Sequence, residues 1–175
     1  RDASTYKIAA YETPAGHTRV STLRPSHLVD LLGHPELAAA ALRVERANRN
    51  AEAISRYLEQ HRRIERVHYP GLESHRDHAV AKRLMKGFGG VISFEVRGSL
   101  ETASKFIDAL RIPYIAPSLG GVESLVEQPT VVSYWDKTPE ERAALGIRDN
   151  LVRYSCGVED TDDLIRDIEQ ALDRA

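Results

Sequence analysis

From residue 37 onward the apolar positions alternate between two rhythms. Leu37, Ala41, Val44, Ala47, Ala51, Ile54 and Leu58 recur at steps of three and four. That spacing lines one stripe of a helix predicted over 36–61, with Pro35 in its first turn. Residues 64–69 read as a strand stopped by Pro70 and Gly71. Ser74 and Asp77 form a capping pair for a helix that buries Val80, Ala81, Leu84 and Met85 and stops at Gly87. Over 88–96 the period drops to two, with Ile92, Phe94 and Val96 on one face of a strand and Val91 on the other. Ala103, Phe106, Ile107 and Leu110 mark the next helix. Residues 112–116 are short and extended, kept out of helix by Pro113 and Pro117.

The stretch APSLGGVESLVEQPTVVSYWD, 116–136, is ambiguous. Pro117, Gly120, Gly121 and Pro129 break the backbone, yet 122–132 is rich in strand-forming residues. Ser118, Glu123, Ser124 and Glu127 add more polar groups than a packed strand needs, so a binding loop and a strand with an irregular entrance both remain open. Thr138, Pro139 and Glu141 then make a capping box with proline at the first helical position, and Gly146 ends that helix. Residues 151–155 form another strand. Acid at 160–163 suits the start of a last helix, whose Leu164, Ile165, Ile168 and Leu172 face inward. Before Pro35 no period is sustained: turns are expected at 13–16 and 24–26, and a short helix at 27–32.

Helices punctuating strands without a repeat predict an α/β (α+β) fold, a two-layer sandwich. Its sheet has about four strands with helices packed on it. The 175 residues suit one domain with an extra segment, 35–175 and 1–34. Hydrophobic residues at 42% and charged residues at 29% are enough for a packed core under a charged surface. A formal charge of −2 argues against nucleic acid or an anionic membrane as partner. No apolar run approaches the ~20 residues that cross a bilayer. The start lacks both Met and an apolar signal core, which reads as a fragment or a processed product. The one cysteine, Cys156, excludes an internal disulfide and fits a reducing compartment.

Several candidate sites have simpler explanations. His75 and His78, three apart, have no nearby thiol, and Asp77 is already a cap, so solvated histidines are expected rather than a metal site. The glycines at 87, 89 and 90 lead into a strand, whereas a phosphate cradle needs a helix N-terminus there. Cys156 has no neighbouring His and is read as a core residue. Arg153 is different. Alternation in LVRYS points Val152 and Tyr154 one way and Leu151, Arg153 and Ser155 the other. Either the arginine pairs with an internal acid such as Glu123 or Glu127, or its planar fork is kept for a carboxylate or phosphate from outside.

Two segments carry a likeness to a known family: YIAPSLGGVESLVEQPTVVSYWD and GIRDNLVRYSCGVEDTDDLIRDIEQAL. Together with the segment from Arg43 to Val96, they resemble the C-terminal domain of the pyridoxal-phosphate-dependent cysteine and methionine metabolism (trans-sulfuration) enzymes, a domain of fold-type I. The APSLGG and SYWD variants are similar to the plant and cyanobacterial cystathionine gamma-synthase branch. The resemblance implies pyridoxal 5'-phosphate as cofactor and gamma-replacement of an activated homoserine ester by cysteine in methionine biosynthesis. A gamma-lyase or sulfhydrylase of the family, or a non-catalytic binding or assembly module, is the alternative.

The same resemblance implies that Arg153 grips the substrate's α-carboxylate. Ser118 would lie by the cofactor-bearing lysine, and the backbone at Leu119 would help hold the substrate, with Gly120, Gly121 and Glu123 in support. It further implies a homo-oligomer in the cytoplasm, or in the plastid stroma of a plant. Two departures stand out. Many relatives that make or split cystathionine have a glutamate where Pro117 stands, which takes away a contact to the substrate's distal amino group. The family's imine-forming lysine also has no counterpart: Lys7 has the wrong flanking residues, Lys82, Lys86 and Lys105 fall on predicted helices, and Lys137 lies beside a cap. No catalytic residue is therefore placed in this chain, and on its own it is expected to be inactive.

Overall fold

The protein is described by a computed structural model covering residues 8–12, 18–22 and 35–175, with side chains from residue 39 onward. The turns and short helix expected at 13–16, 24–26 and 27–32, and the burial of Leu37, lie outside the described residues. The chain divides into two compact units, Arg1–Arg43 and Val44–Ala175. In the first, β1 (Ile8–Glu12) and β2 (Thr18–Thr22) pair as an antiparallel two-stranded sheet. Sequence patterning missed this hairpin because neither IAAYE nor TRVST alternates apolar and polar residues.

A long helix, α1 (Pro35–Gln60), matches the predicted span; of the predicted stripe Ala51, Ile54 and Leu58 are fully buried, whereas Val44 is exposed. The second unit then holds β3 (Ile64–His68), α2 (His78–Leu84), β4 (Val91–Val96) and α3 (Leu100–Ala109). Next come β5 (Tyr114–Ile115), β6 (Leu125–Glu127), α4 (Pro129–Val132) and α5 (Pro139–Ala144). The chain finishes with β7 (Leu151–Ser155) and α6 (Thr161–Arg174). The strands form one sheet in the order β3-β4-β7-β6-β5, antiparallel except for the parallel β5–β6 pair at one edge.

The sheet has five strands rather than four, because the extended piece after Pro113 adds a two-residue edge strand. One face is apolar: Ile92, Phe94, Val96, Val126, Val152 and Tyr154 pack with residues of α1, α3 and α6, among them Phe106, Leu164, Ile168 and Leu172. Burying side chains of that size contributes about 1.5–3 kcal/mol each. The α/β two-layer expectation holds in this layer.

Most of the helix ends follow the sequence. Thr138 and Glu141 complete a reciprocal capping box on α5 with Pro139 at the first turn, and Gly146 follows with φ of 76°. Asp160 caps α6 by accepting from the Asp162 and Asp163 N–H groups. The exception is α2. The Asp77 side chain makes no cap bond and pairs with Arg76 at 3.0 Å, while the Ser74 hydroxyl bonds Glu59. Of its four expected core residues only Ala81 is buried; Val80, Leu84 and Met85 are exposed. The helix is too short, and ends at the extended Met85 rather than running to Gly87.

Residues 122–132 are not one strand. Only Leu125–Glu127 pairs in the sheet, and Pro129 starts a short helix. The strand ends at Gln128, whose backbone carbonyl accepts the Val131 and Val132 N–H groups of α4, while its side-chain amide donates to the Leu100 and Asp149 carbonyls at 3.0 and 2.8 Å. On α6, the buried Asp167 accepts the Arg111 and Ile112 backbone N–H groups, so a helix carboxylate fixes the turn that leads into β5.

Candidate functional site

Alternation on β7 sends Val152 and Tyr154 into the apolar core and turns Arg153 to the opposite face. That second face is polar. Antiparallel register sets Arg153 directly opposite Glu127 on β6 and opposite Ser93 on β4. Two carboxylates are buried there, Glu95 and Glu127. A buried charge persists only with a partner, and each has an arginine. Glu95 accepts from Arg148 at 2.8 Å and lies 2.9 Å from His68 Nε2. Arg148 also reaches Glu65 at 2.8 Å, and its guanidinium holds the Glu65 carboxyl below the usual carboxylate range.

The second pair is the candidate site. Arg153 Nη1 lies 2.7 Å from Glu127 Oε1, with the arginine side chain 20% exposed and the glutamate 1%. The Ser133 hydroxyl, from the end of α4, donates to both Glu127 oxygens, at 3.1 and 2.9 Å. Nη2 donates to the Pro117 and Ser118 carbonyls at 2.6 and 3.0 Å. The buried Nε has no hydrogen-bond partner. A guanidinium has five N–H groups. Nε–H and one hydrogen of Nη1, on different edges of the guanidinium, are therefore left without a protein acceptor, on an arginine that is already anchored.

The 116–124 loop walls this corner, and its anchors explain its shape. Gly120 has a φ of 77°, a conformation that side-chain-bearing residues rarely adopt, and its N–H donates to Ser155 Oγ at 3.1 Å. At the other end, the Ser124 N–H and hydroxyl donate to the Glu159 carboxylate at 2.6 and 2.9 Å, and the Gly157 N–H donates to Ser124 Oγ at 2.9 Å. The Asn50 amide ties Gly157 and Glu159 to α1, donating to each carbonyl at 3.0 Å. Gly157 is packed so closely on the 122–123 backbone that a Cβ there would overlap Val122 O and Glu123 C.

The structure brings Arg153 and the Ser118 backbone together, with Gly120 held beside them through Ser155; Ser118 and Leu119 themselves are exposed. It does not bring Glu123 to the arginine. The Glu123 carboxylate folds against Gly121, where an added Cβ would come within 2.7 Å of Oε1. The acid that reaches Arg153 is Glu127, so the external-ligand and internal-pair alternatives left open by spacing are not exclusive. Register shows why: a cross-strand partner is invisible until β6 is placed beside β7. Ser133, Ser155 and Glu159 also went unpredicted, since their role is to hold other groups.

The competing candidates have local partners. His78 Nδ1 lies 2.9 Å from the Pro70 carbonyl and stacks on Phe88 at 5.8 Å, while His75 Nδ1 accepts the Asp77 N–H. Cys156 is buried, which pushes its thiol pKa up and leaves it a poor nucleophile. Gly90 accepts the Cys156 N–H at 2.8 Å, so the glycine run serves sheet packing. Among the described residues, no group of three His, Cys, Asp or Glu is placed to hold a metal ion. Nor is any described helix long and apolar enough to cross a membrane.

Comparison with known proteins agrees with this layout. The profile of the Cys/Met metabolism PLP-dependent enzymes matches residues 36–173. Cystathionine gamma-synthase 1, chloroplastic, of Nicotiana tabacum is 58% identical over 132 residues, which cover 75% of this chain and 24% of the tobacco protein. Cystathionine gamma-lyase of Dictyostelium discoideum is 49% identical over 133 residues, 76% of this chain and 34% of that protein. The crystal structure of cystathionine gamma-synthase from Xanthomonas oryzae pv. oryzae in complex with cystathionine superposes with a TM-score of 0.74 at 40% identity. The match covers 88% of this chain and 39% of that one. The chain thus spans between a quarter and two-fifths of the length of these relatives.

Proposed function

Since the chain belongs to the Cys/Met metabolism PLP-dependent enzymes, we propose that residues 35–175 are the C-terminal, substrate-binding domain of a cystathionine gamma-synthase-like enzyme. The full-length enzyme joins an activated homoserine ester to cysteine by replacement at the γ-carbon. One observation carries the role of this domain: a strand arginine, anchored on three acceptors, keeps a buried Nε–H without a partner. Buried donors are nearly always satisfied. The carboxylate of an amino-acid substrate supplies the missing acceptor through a charge-assisted hydrogen bond.

The described residues fit the amino-acid end of the substrate and not the cofactor. The corner is built from an arginine, a carboxylate, hydroxyls and backbone carbonyls. Lys82, Lys86 and Lys105 are exposed, and Lys137 pairs with Asp136 at 3.6 Å. In this family pyridoxal phosphate withdraws electrons from the substrate, and that chemistry belongs to parts of the enzyme outside the Arg153 corner. What these residues do is hold the carboxylate, fix its orientation and line one wall with the Ser118 to Gly121 backbone. Binding in a fixed orientation lowers the entropic cost of the later chemical steps.

The enzyme works as a homo-oligomer in the cytoplasm or, in a plant, the plastid stroma. The name of the tobacco relative supports the plastid. The activity is tested by giving the full-length enzyme an activated homoserine ester and cysteine and following cystathionine. Cystathionine formation that depends on cysteine supports the synthase. Cleavage of added cystathionine to a 2-oxo acid, with no net synthesis, makes it a lyase, as the Dictyostelium relative is named.

A further inference from the structure

The Glu127–Arg153 pair bears on how tightly the site holds its ligand. We propose that Glu127 is an affinity-setting counter-ion: it cancels the charge of Arg153, so the site takes a single carboxylate by hydrogen-bond geometry and holds it loosely enough to release. The inference rests on the carboxylate role of Arg153 argued above.

Glu127 is 1% exposed and sits directly across the ladder from Arg153. Its second source of stabilisation is the Ser133 hydroxyl, which donates to both oxygens. The guanidinium at 2.7 Å is the partner that a carboxylate buried this deeply requires. A ligand carboxylate on the Nε–H of Arg153 shares one guanidinium with Glu127, and because Glu127 is buried the two like charges repel more than they do in bulk solvent.

Orientation of the guanidinium does not depend on that charge alone. The Pro117 and Ser118 carbonyls hold Nη2 independently. Glutamine has the shape of glutamate and still offers one oxygen to Nη1, so Glu127→Gln removes the charge while keeping the anchor. Serving as an acceptor and opposing the ligand are therefore separable functions of one side chain.

In the full-length enzyme, Glu127→Gln should lower KM for the amino-acid substrates about three- to tenfold, without a matching rise in kcat. Ser133→Ala, at an exposed position, withdraws the hydroxyl from Glu127 and so strengthens its hold on Arg153. This change should raise KM by about twofold. Opposite shifts of KM in the two variants are a result that a merely structural pair does not give. A KM that is unchanged or higher in Glu127→Gln overturns the proposal, and Glu127 is then only an anchor. Ser133→Ala gives the second test if Glu127→Gln fails to fold: a KM that is unchanged or lower overturns the proposal. Arg153→Lys, measured alongside, separates the two levels. If it leaves KM unchanged, the carboxylate role itself is wrong; if it raises KM while Glu127→Gln does nothing, only the counter-ion inference fails.

Discussion

On one face of the five-stranded sheet Ile92, Phe94, Val96, Val152 and Tyr154 lie in the core with helix residues; on the other, the same strands bury Glu95, Glu127 and Ser155. The buried groups of the two faces are held by different means. The apolar face is held by packing, where each buried side chain adds stability without regard to direction. The polar face is held by pairing, where each charge requires one partner in one place. Stability is thus concentrated on one side of β4 and β7, and the proposed recognition on the other. Strand alternation lets a single segment, Val152-Arg153-Tyr154, serve both.

Phe94→Ala tests the apolar side most severely. Phe94 is fully buried and meets Phe106 edge-on, with ring centroids 5.7 Å apart. Its removal should cost about 3–5 kcal/mol, measured as a loss in a chemical denaturation midpoint, with KM of the folded fraction nearly unchanged. A large rise in KM at modest stability loss would blur the distinction between the faces.

Gly157→Ala probes the border between them. A Cβ there overlaps the backbone of residues 122–123, so the loop must shift. Overpacking of this kind costs about 1–3 kcal/mol, less than the phenylalanine cavity. It should nevertheless raise KM, because the displaced loop carries the carbonyls that anchor Arg153. A variant with normal stability and normal KM would show that the close approach of Gly157 to the loop is incidental.

The difference between the faces also explains what could be read from the amino-acid order. The apolar layer was legible because its information is periodic: Ile92, Phe94 and Val96 repeat at two, and Leu164, Ile168 and Leu172 at four. Caps were legible because their chemistry is local, as in Thr138 with Glu141. Periodicity misled at α2, where Val80 and Leu84 recur on schedule but have no cover among the described residues. Propensity misled at 129–132, where Pro129 starts a helix in spite of the valines that follow.

The polar layer was legible only in part. Arg153 stood out because a charge in mid-strand needs a reason, and two acids were candidates for its partner. Choosing Glu127 over Glu123 requires the register of β6 on β7. The loop anchors Ser155 and Glu159 act over 35 residues of sequence, a distance at which no local pattern survives.

If Arg153 serves a ligand while anchored on its own protein, Arg153→Lys in the full-length enzyme should separate the two roles. An ammonium can keep an ion pair with Glu127 but has no Nε–H to offer a carboxylate while its other donors stay anchored. KM for both amino-acid substrates should rise about 10- to 100-fold, equivalent to the roughly 1.5–3 kcal/mol of a charge-assisted bond, with the melting temperature nearly unchanged. A lowered melting temperature with normal KM would contradict it and reduce Arg153 to the structural partner of Glu127.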